Sequence, residues 1–308
     1  MSRTITVGID DSPESRAATG WAASEARLRS LPLKIVHVQE PTPRRLAQTP
    51  LLDLEGYQRW AGRLTRDFAD DALARHPGIE VVTEQLRGNV ADELCEAAGS
   101  AEMIVLGSRG LSGLRGFMVG SVSQGVVARA ERPVVLVRAG ERAAGAQRTG
   151  TGGLPSTATP SRPAGAAAAP VVLGLDMEHP DDTLLGFAFD AAAFRKAALR
   201  VVHAWPDPAT SYHQFPGGVG LHDTFETGQA ALLSKVLRPW RQKFPDLEVI
   251  EASRCGSPQQ VLVDSAGDAC LVVVGRRIRT GAFTGHIGHV AHSALHHIAA
   301  PVAIVAHD

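Results

Sequence analysis

A chain of 308 residues, 44% hydrophobic and 20% charged, is long enough to bury two cores of ordinary domain size and has the composition of a globular protein. Its formal net charge of -1 removes any global electrostatic drive toward nucleic acid or an anionic membrane. No apolar run approaches the roughly 18 to 20 residues that span a bilayer, and the start, MSRTITVGID, enters a strand-like pattern with no signal-peptide core. Cys95, Cys255 and Cys270 show no metal-type pairing such as C-x-x-C, so the expectation is reduced, packed thiols in a cytoplasmic protein.

Taken in order, TITVGI is expected to form a strand closed by Gly8-Ile9-Asp10. Ser12-Pro13 opens a helix, with Ser as N-cap and Pro at the first helical position. LKIVHV is a second strand ending at Val38, and a long helix follows around residues 54 to 75. IEVVTEQL makes a third strand, NVADELCEAAG a helix stopped by Gly99, and AEMIVLG a fourth strand. After a glycine-rich stretch, SVSQGVVARA reads as a helix and PVVLVR as the last strand. Residues 139 to 169 hold a single leucine and no other large apolar side chain. Such a stretch cannot offset its ordering entropy and reads as a flexible linker.

Beyond it the pattern repeats. Asp10 and Asp176 are 166 apart, as are His37 and His203. Gly88 and Gly256, Gly107 and Gly275, Gly120 and Gly288, and Pro133 and Pro301 are each 168 apart. Offsets this constant indicate a tandem repeat, with domains at 1–138 and 170–308 around the linker. Val- and Ile-rich strands alternating with helices predict an α/β, doubly wound fold with parallel sheets covered on both faces.

In open α/β sheets, ligands collect beyond the carboxyl ends of the strands. Asp10, Val38 and Gly107 fall at three such ends, and LGSRGLSGLRGFMVGS (106–121) returns from the fourth strand to a helix start near Gly120-Ser121-Val122-Ser123. Unpaired N–H groups and a partial positive charge at a helix start suit phosphate oxygens, and glycine lets the backbone approach them. Ser121 and Ser123 can add hydroxyl donors, Arg109 and Arg115 can neutralise phosphate, and Asp10 can accept from a ribose hydroxyl or hold Mg2+. Taken singly, Asp10 and Ser121 read as helix caps and Val38 as core. The loop is neither a Walker A loop nor the Rossmann fingerprint, since no G-K-[ST] follows and no G-x-G-x-x-G occurs.

The spacing G-x2-G-x9-G-S, complete as Gly107, Gly110, Gly120 and Ser121, resembles the ATP-binding motif of the universal stress protein family. The resemblance covers both copies. It implies a flavodoxin-like, five-stranded parallel sheet of order 3-2-1-4-5 in each domain and association through the last strand, within the chain or as a homodimer. It also implies ATP, with Mg2+ as companion ion, held by Gly8, Ile9, Asp10, Val38, Leu106, Gly107, Arg109, Gly110, Gly120, Ser121, Val122 and Ser123. The family's role would be stress adaptation or growth arrest through nucleotide binding, without a membrane or nucleic-acid partner. No nucleophile–base pair is visible, so at most weak ATP hydrolysis is expected. A slow nucleotide hydrolase and a nucleotide-free interaction module are the alternatives.

The second copy departs at VGRRIRTGAFTGHIGHV. Ile278 replaces the second glycine and His289 the serine, so a weakened or lost site is expected there. Ten of the twelve histidines lie in this copy, three of them (His289, His292, His296) along one helix face. Their spacing invites a metal-site reading, but no acidic or thiol partner lies on that helix, so they read as surface or core-edge residues, and His37 and His203 as satisfied core histidines. Residues 206–225 suggest a lid or an unstructured segment.

Overall fold

A computed structural model of the chain describes residues 3–40, 54–108, 119–140, 168–206, 221–278 and 287–308. The β-branched runs form strands: β1 (Ile5–Ile9), β2 (Leu33–Gln39), β3 (Val81–Arg87), β4 (Met103–Ser108) and β5 (Val134–Arg138) in the first half. The second half supplies β6 (Val171–Gly174), β7 (Leu199–Trp205), β8 (Val249–Cys255), β9 (Leu271–Arg277) and β10 (Val302–His307). The first half's helices are α1 (Pro13–Arg29), α2 (Leu54–Arg75), α3 (Val90–Gly99) and α4 (Ser121–Arg129). Those of the second are α5 (Asp182–Arg195), α6 (Leu221–Lys243), α7 (Pro258–Ser265) and α8 (His289–His297).

Local chemistry sets several helix ends. Ser12 accepts from the Ser15 amide ahead of α1, Asn89 from Ala91 and Asp92 ahead of α3, and Asp181 from Thr183 and Leu184 ahead of α5. Ser30 and Lys196 end α1 and α5 in the left-handed conformation, with φ of 54° and 49°. The repeat therefore reaches down to a shared C-cap geometry that neither sequence marks with glycine.

The ten strands form one sheet, ordered β3-β2-β1-β4-β5-β10-β9-β6-β7-β8. Each half keeps the parallel order 3-2-1-4-5 of a flavodoxin-like domain. The halves meet at an antiparallel ladder in which Val134–Leu136 face Val302–Ile304. Pairing through the last strands is thus made within the chain. Along each strand, alternate side chains feed two cores. Ile5, Val7, Ile9, Leu33 and Ile35 pack under α1, α2, α5 and α6, whereas Val36, Ile104 and Leu106 pack under α3, α4, α7 and α8.

Both faces tie the halves together. On the α1/α5 face, the Glu25 carboxylate is almost wholly buried, 2.6 Å from Arg29 Nε and 2.5 Å from Arg195 Nη2 of the other half. The Arg195 guanidinium also covers the Trp21 ring at 5.5 Å. On the opposite face Arg138, at the end of β5, donates to the Leu295 and Ile298 carbonyls at the C-terminal end of α8. Arg276, at the end of β9, donates to the Ala130 carbonyl at the end of α4, at 2.5 Å. Each half caps a helix of the other. In register, Arg138 lies beside Ser108 and Arg276 beside Ala306, so each large guanidinium has a small neighbour. Burial pulls the Arg138 pKa down to about 10 and lowers that of Arg276.

Candidate functional site

The first-half edge is built by β1, β2 and β4 with the first turn of α4. Gly120 is the N-cap of α4, with no side-chain capping bond, so Ser121 begins the helix rather than capping it. The Ser123 hydroxyl donates to the Gly107 carbonyl at 3.1 Å, which ties the start of α4 to the end of β4. Val38, Leu106, Val119 and Val122 share one apolar cluster on this face of the sheet. An uncapped helix start, carrying a partial positive charge, therefore stands beside an apolar wall.

Asp10 is exposed at the neighbouring strand end. Its Oδ1 accepts from the Ser12 amide at 3.1 Å and from the Ser12 hydroxyl, while Ser12 itself caps α1. The capping role considered for Asp10 thus belongs to Ser12, and Asp10 orients it. Among the described residues, no partner engages Asp10 Oδ2.

The glycines divide by what surrounds them. A Cβ on Gly8 would meet Leu106 Cδ2 at 2.7 Å and Leu94 at 3.0 Å, so Leu106 fills the space above Gly8. A Cβ on Gly107 would meet the backbone of Glu14 and Ser15 at 2.8 and 2.9 Å, because α1 begins directly against the end of β4. Ile9 faces the opposite core, under α1, and leaves its backbone alone at the edge. Gly88 is crowded by the Glu93 side chain. Arg109, Gly110 and Arg115 lie outside the described residues, as do most of the linker and residues 207–220.

Ser108 escaped the sequence reading. It is buried at the end of β4, and its Oγ has no hydrogen-bond partner. Its residue type and strand position gave no signal. His203 meets the expectation of a satisfied histidine, with Nδ1 3.4 Å from the Leu175 carbonyl and Nε2 3.1 Å from the Gln229 amide oxygen. His37 does not. It packs edge-on against Trp60, its Nδ1 is buried without a partner, and burial lowers its pKa against a smaller opposing pull from Asp10.

The second-half edge is rebuilt. Helix α5 starts six residues after Asp176, whereas α1 starts three after Asp10. Where the first turn of α1 covers Gly107, the His307 ring covers Gly275, and a Cβ there would meet its Nε2 at 2.5 Å. Asp176 is already engaged, with Arg277 at 3.2 Å and His179 at 3.5 Å. The Ile278 amide donates to the His307 carbonyl at 2.6 Å, continuing the β9–β10 ladder by one rung. Gly288 caps α8 without a side-chain bond, as Gly120 does α4. Among the described residues, Asp176, Glu178 and His179 are grouped closely enough to share an ion, but all three are exposed and Arg277 already neutralises Asp176. Burial raises the pKa of the Cys95 and Cys270 thiols, which makes them poor nucleophiles. No described helix is long and apolar enough to cross a membrane.

Comparison with known proteins agrees with this fold. The profile of the universal stress protein family matches residues 1–138 and again 169–306. A universal stress protein of Mycolicibacterium smegmatis is 32% identical over 307 residues, covering 98% of this chain and 96% of the relative. One of Mycobacterium tuberculosis is 30% identical over 306 residues, covering 97% and 96%. The crystal structure of a universal stress protein from Archaeoglobus fulgidus superposes with a TM-score of 0.68 over 99% of both chains, at 16% identity, a likeness of fold. With its profile matched twice and relatives aligned along nearly the whole length, this chain belongs to the universal stress protein family as a tandem member.

Proposed function

We propose that the first half binds ATP, with Mg2+, at the carboxyl edge of β1, β2 and β4, and that nucleotide occupancy is the signal by which the protein acts in stress adaptation or growth arrest. The observation that carries this reading is the uncapped first turn of α4, tied to β4 by the Ser123–Gly107 bond on the face that holds Val38, Leu106 and Val122. Phosphate oxygens would take the amides of Ser121, Val122 and Ser123, and adenine would lie against the apolar wall. Asp10, with Oδ2 uncommitted, suits a ribose hydroxyl or Mg2+. Gly110 and Arg109 would complete the cradle. The backbone of Ile9 would lie at its edge, with Leu106 covering Gly8, and Gly107 admits the start of α1 beside it.

The domains of this reading are 1–138 and 170–308, with 139–169 as linker, in a cytoplasmic protein. In the second domain, Ile278 and His289 at the motif positions, with Arg277 already paired to Asp176, support a site weakened or lost. The ladder between β5 and β10 also consumes the last-strand edges, so a homodimer would associate through another surface.

Native mass spectrometry of the purified protein is expected to find a single nucleotide per chain, and calorimetry to find ATP binding. Gly120→Glu places bulk and negative charge at the N-cap and is expected to abolish binding while the fold persists by circular dichroism. Unchanged ATP affinity in that variant would overturn the assignment.

A further inference from the structure

At the 168-residue offset of the repeat, His289, His292, His296 and His297 of α8 stand where α4 has Ser121, Gln124, Ala128 and Arg129. The second half has thus exchanged an ordinary polar surface for imidazoles on the helix that follows its altered glycine loop. These histidines are not spread evenly. Ala291, Ala294 and Leu295 turn α8 toward the sheet, leaving His292 exposed and His296 half-buried one turn further on. Their ring centroids are 4.3 Å apart, with planes inclined by 35°.

Side chains at i and i+4 project from one helix face, and a divalent ion can take one nitrogen from each imidazole of such a pair. The segment HVAHSALHH contains no Asp, Glu, Lys or Arg.

We propose that His292 and His296 chelate a borderline divalent transition ion of the Zn2+, Ni2+ and Cu2+ class, with water completing its coordination. Imidazole suits these ions, whereas Mg2+ and Ca2+ prefer oxygen donors. The site is distinct from the nucleotide edge of the first half and does not depend on it.

Zn2+ titrated into the full chain by calorimetry tests this directly, with thermal melts as a second readout. Since loss of a second-shell partner alone costs roughly 10–100-fold in metal affinity, His292→Gln and His296→Gln should each weaken Zn2+ binding by at least about tenfold. The double variant should bind little worse than either single one, because the two rings act as one chelate. His297→Gln, and His179→Gln at the exposed carboxylate group, should leave this affinity unchanged. Zn2+ should raise the melting temperature of the wild type more than that of His292→Gln. Wild-type affinity in both His292→Gln and His296→Gln, or loss of binding in His179→Gln instead, would overturn the proposal.

Discussion

Gly107 and its counterpart Gly275 show how one residue type answers to two packing problems. Gly107 belongs to the glycine motif, but its immediate neighbour is the backbone at the start of α1. A helix backbone cannot move aside cheaply, so Gly107→Ala is expected to destabilise by about 1–3 kcal/mol in urea unfolding, before any effect on ligand. Gly275→Ala meets the tip of the His307 ring, which can rotate away more easily than a backbone, and should cost less. His37 gives a pH signature. Its folded pKa lies below the ordinary 6.5, so below that pH the unfolded chain binds more protons and folding stability falls. Unfolding free energy should therefore drop between pH 7 and 5, and less steeply in His37→Asn. Part of the slope should remain, because His76 and His292 shift in the same direction.

Among the elements, α1 and α5 cross the junction around a single buried carboxylate. Glu25→Gln removes the charge that two largely buried guanidinium groups share, leaving Arg29 only Glu102 at 3.9 Å and Arg195 the Ala191 carbonyl. The expected loss is about 3–5 kcal/mol, measured by denaturant unfolding. On the other face, Arg276→Met leaves the Ala130 carbonyl at the end of α4 without its donor and should cost about 1–3 kcal/mol. Helix positions were legible from caps and periodicity: Ser12-Pro13 opens α1, and Leu54–Arg75 spans the long second helix. These reciprocal caps were not. Arg138 and Arg276 end strands 138 residues apart in the sequence, and no spacing rule connects either to its partner helix.

At the scale of the whole molecule, β5 and β10 close each other's edges, leaving β3 and β8 at the ends of the described sheet. A chain cut after residue 138 would expose β5, whose N–H and C=O groups would seek another strand. Sedimentation should show that fragment dimerising at concentrations where the intact chain does not use this ladder. The sequence by itself determined the repeat, the α/β alternation and the family, because these rest on local patterning and on residue types recurring at constant offsets. It also placed Val38, Leu106, Gly120 and Ser123 at a common edge, since strand ends and helix starts are local features. Only the tertiary structure decided that the last strands pair within the chain and that Ile9 faces away from the candidate site. The same holds for the Arg277 guanidinium on Asp176 and the His307 ring over Gly275. Each of these depends on which groups, distant in sequence, share a few ångströms of packed space, and packing at that range leaves no periodic trace along the chain.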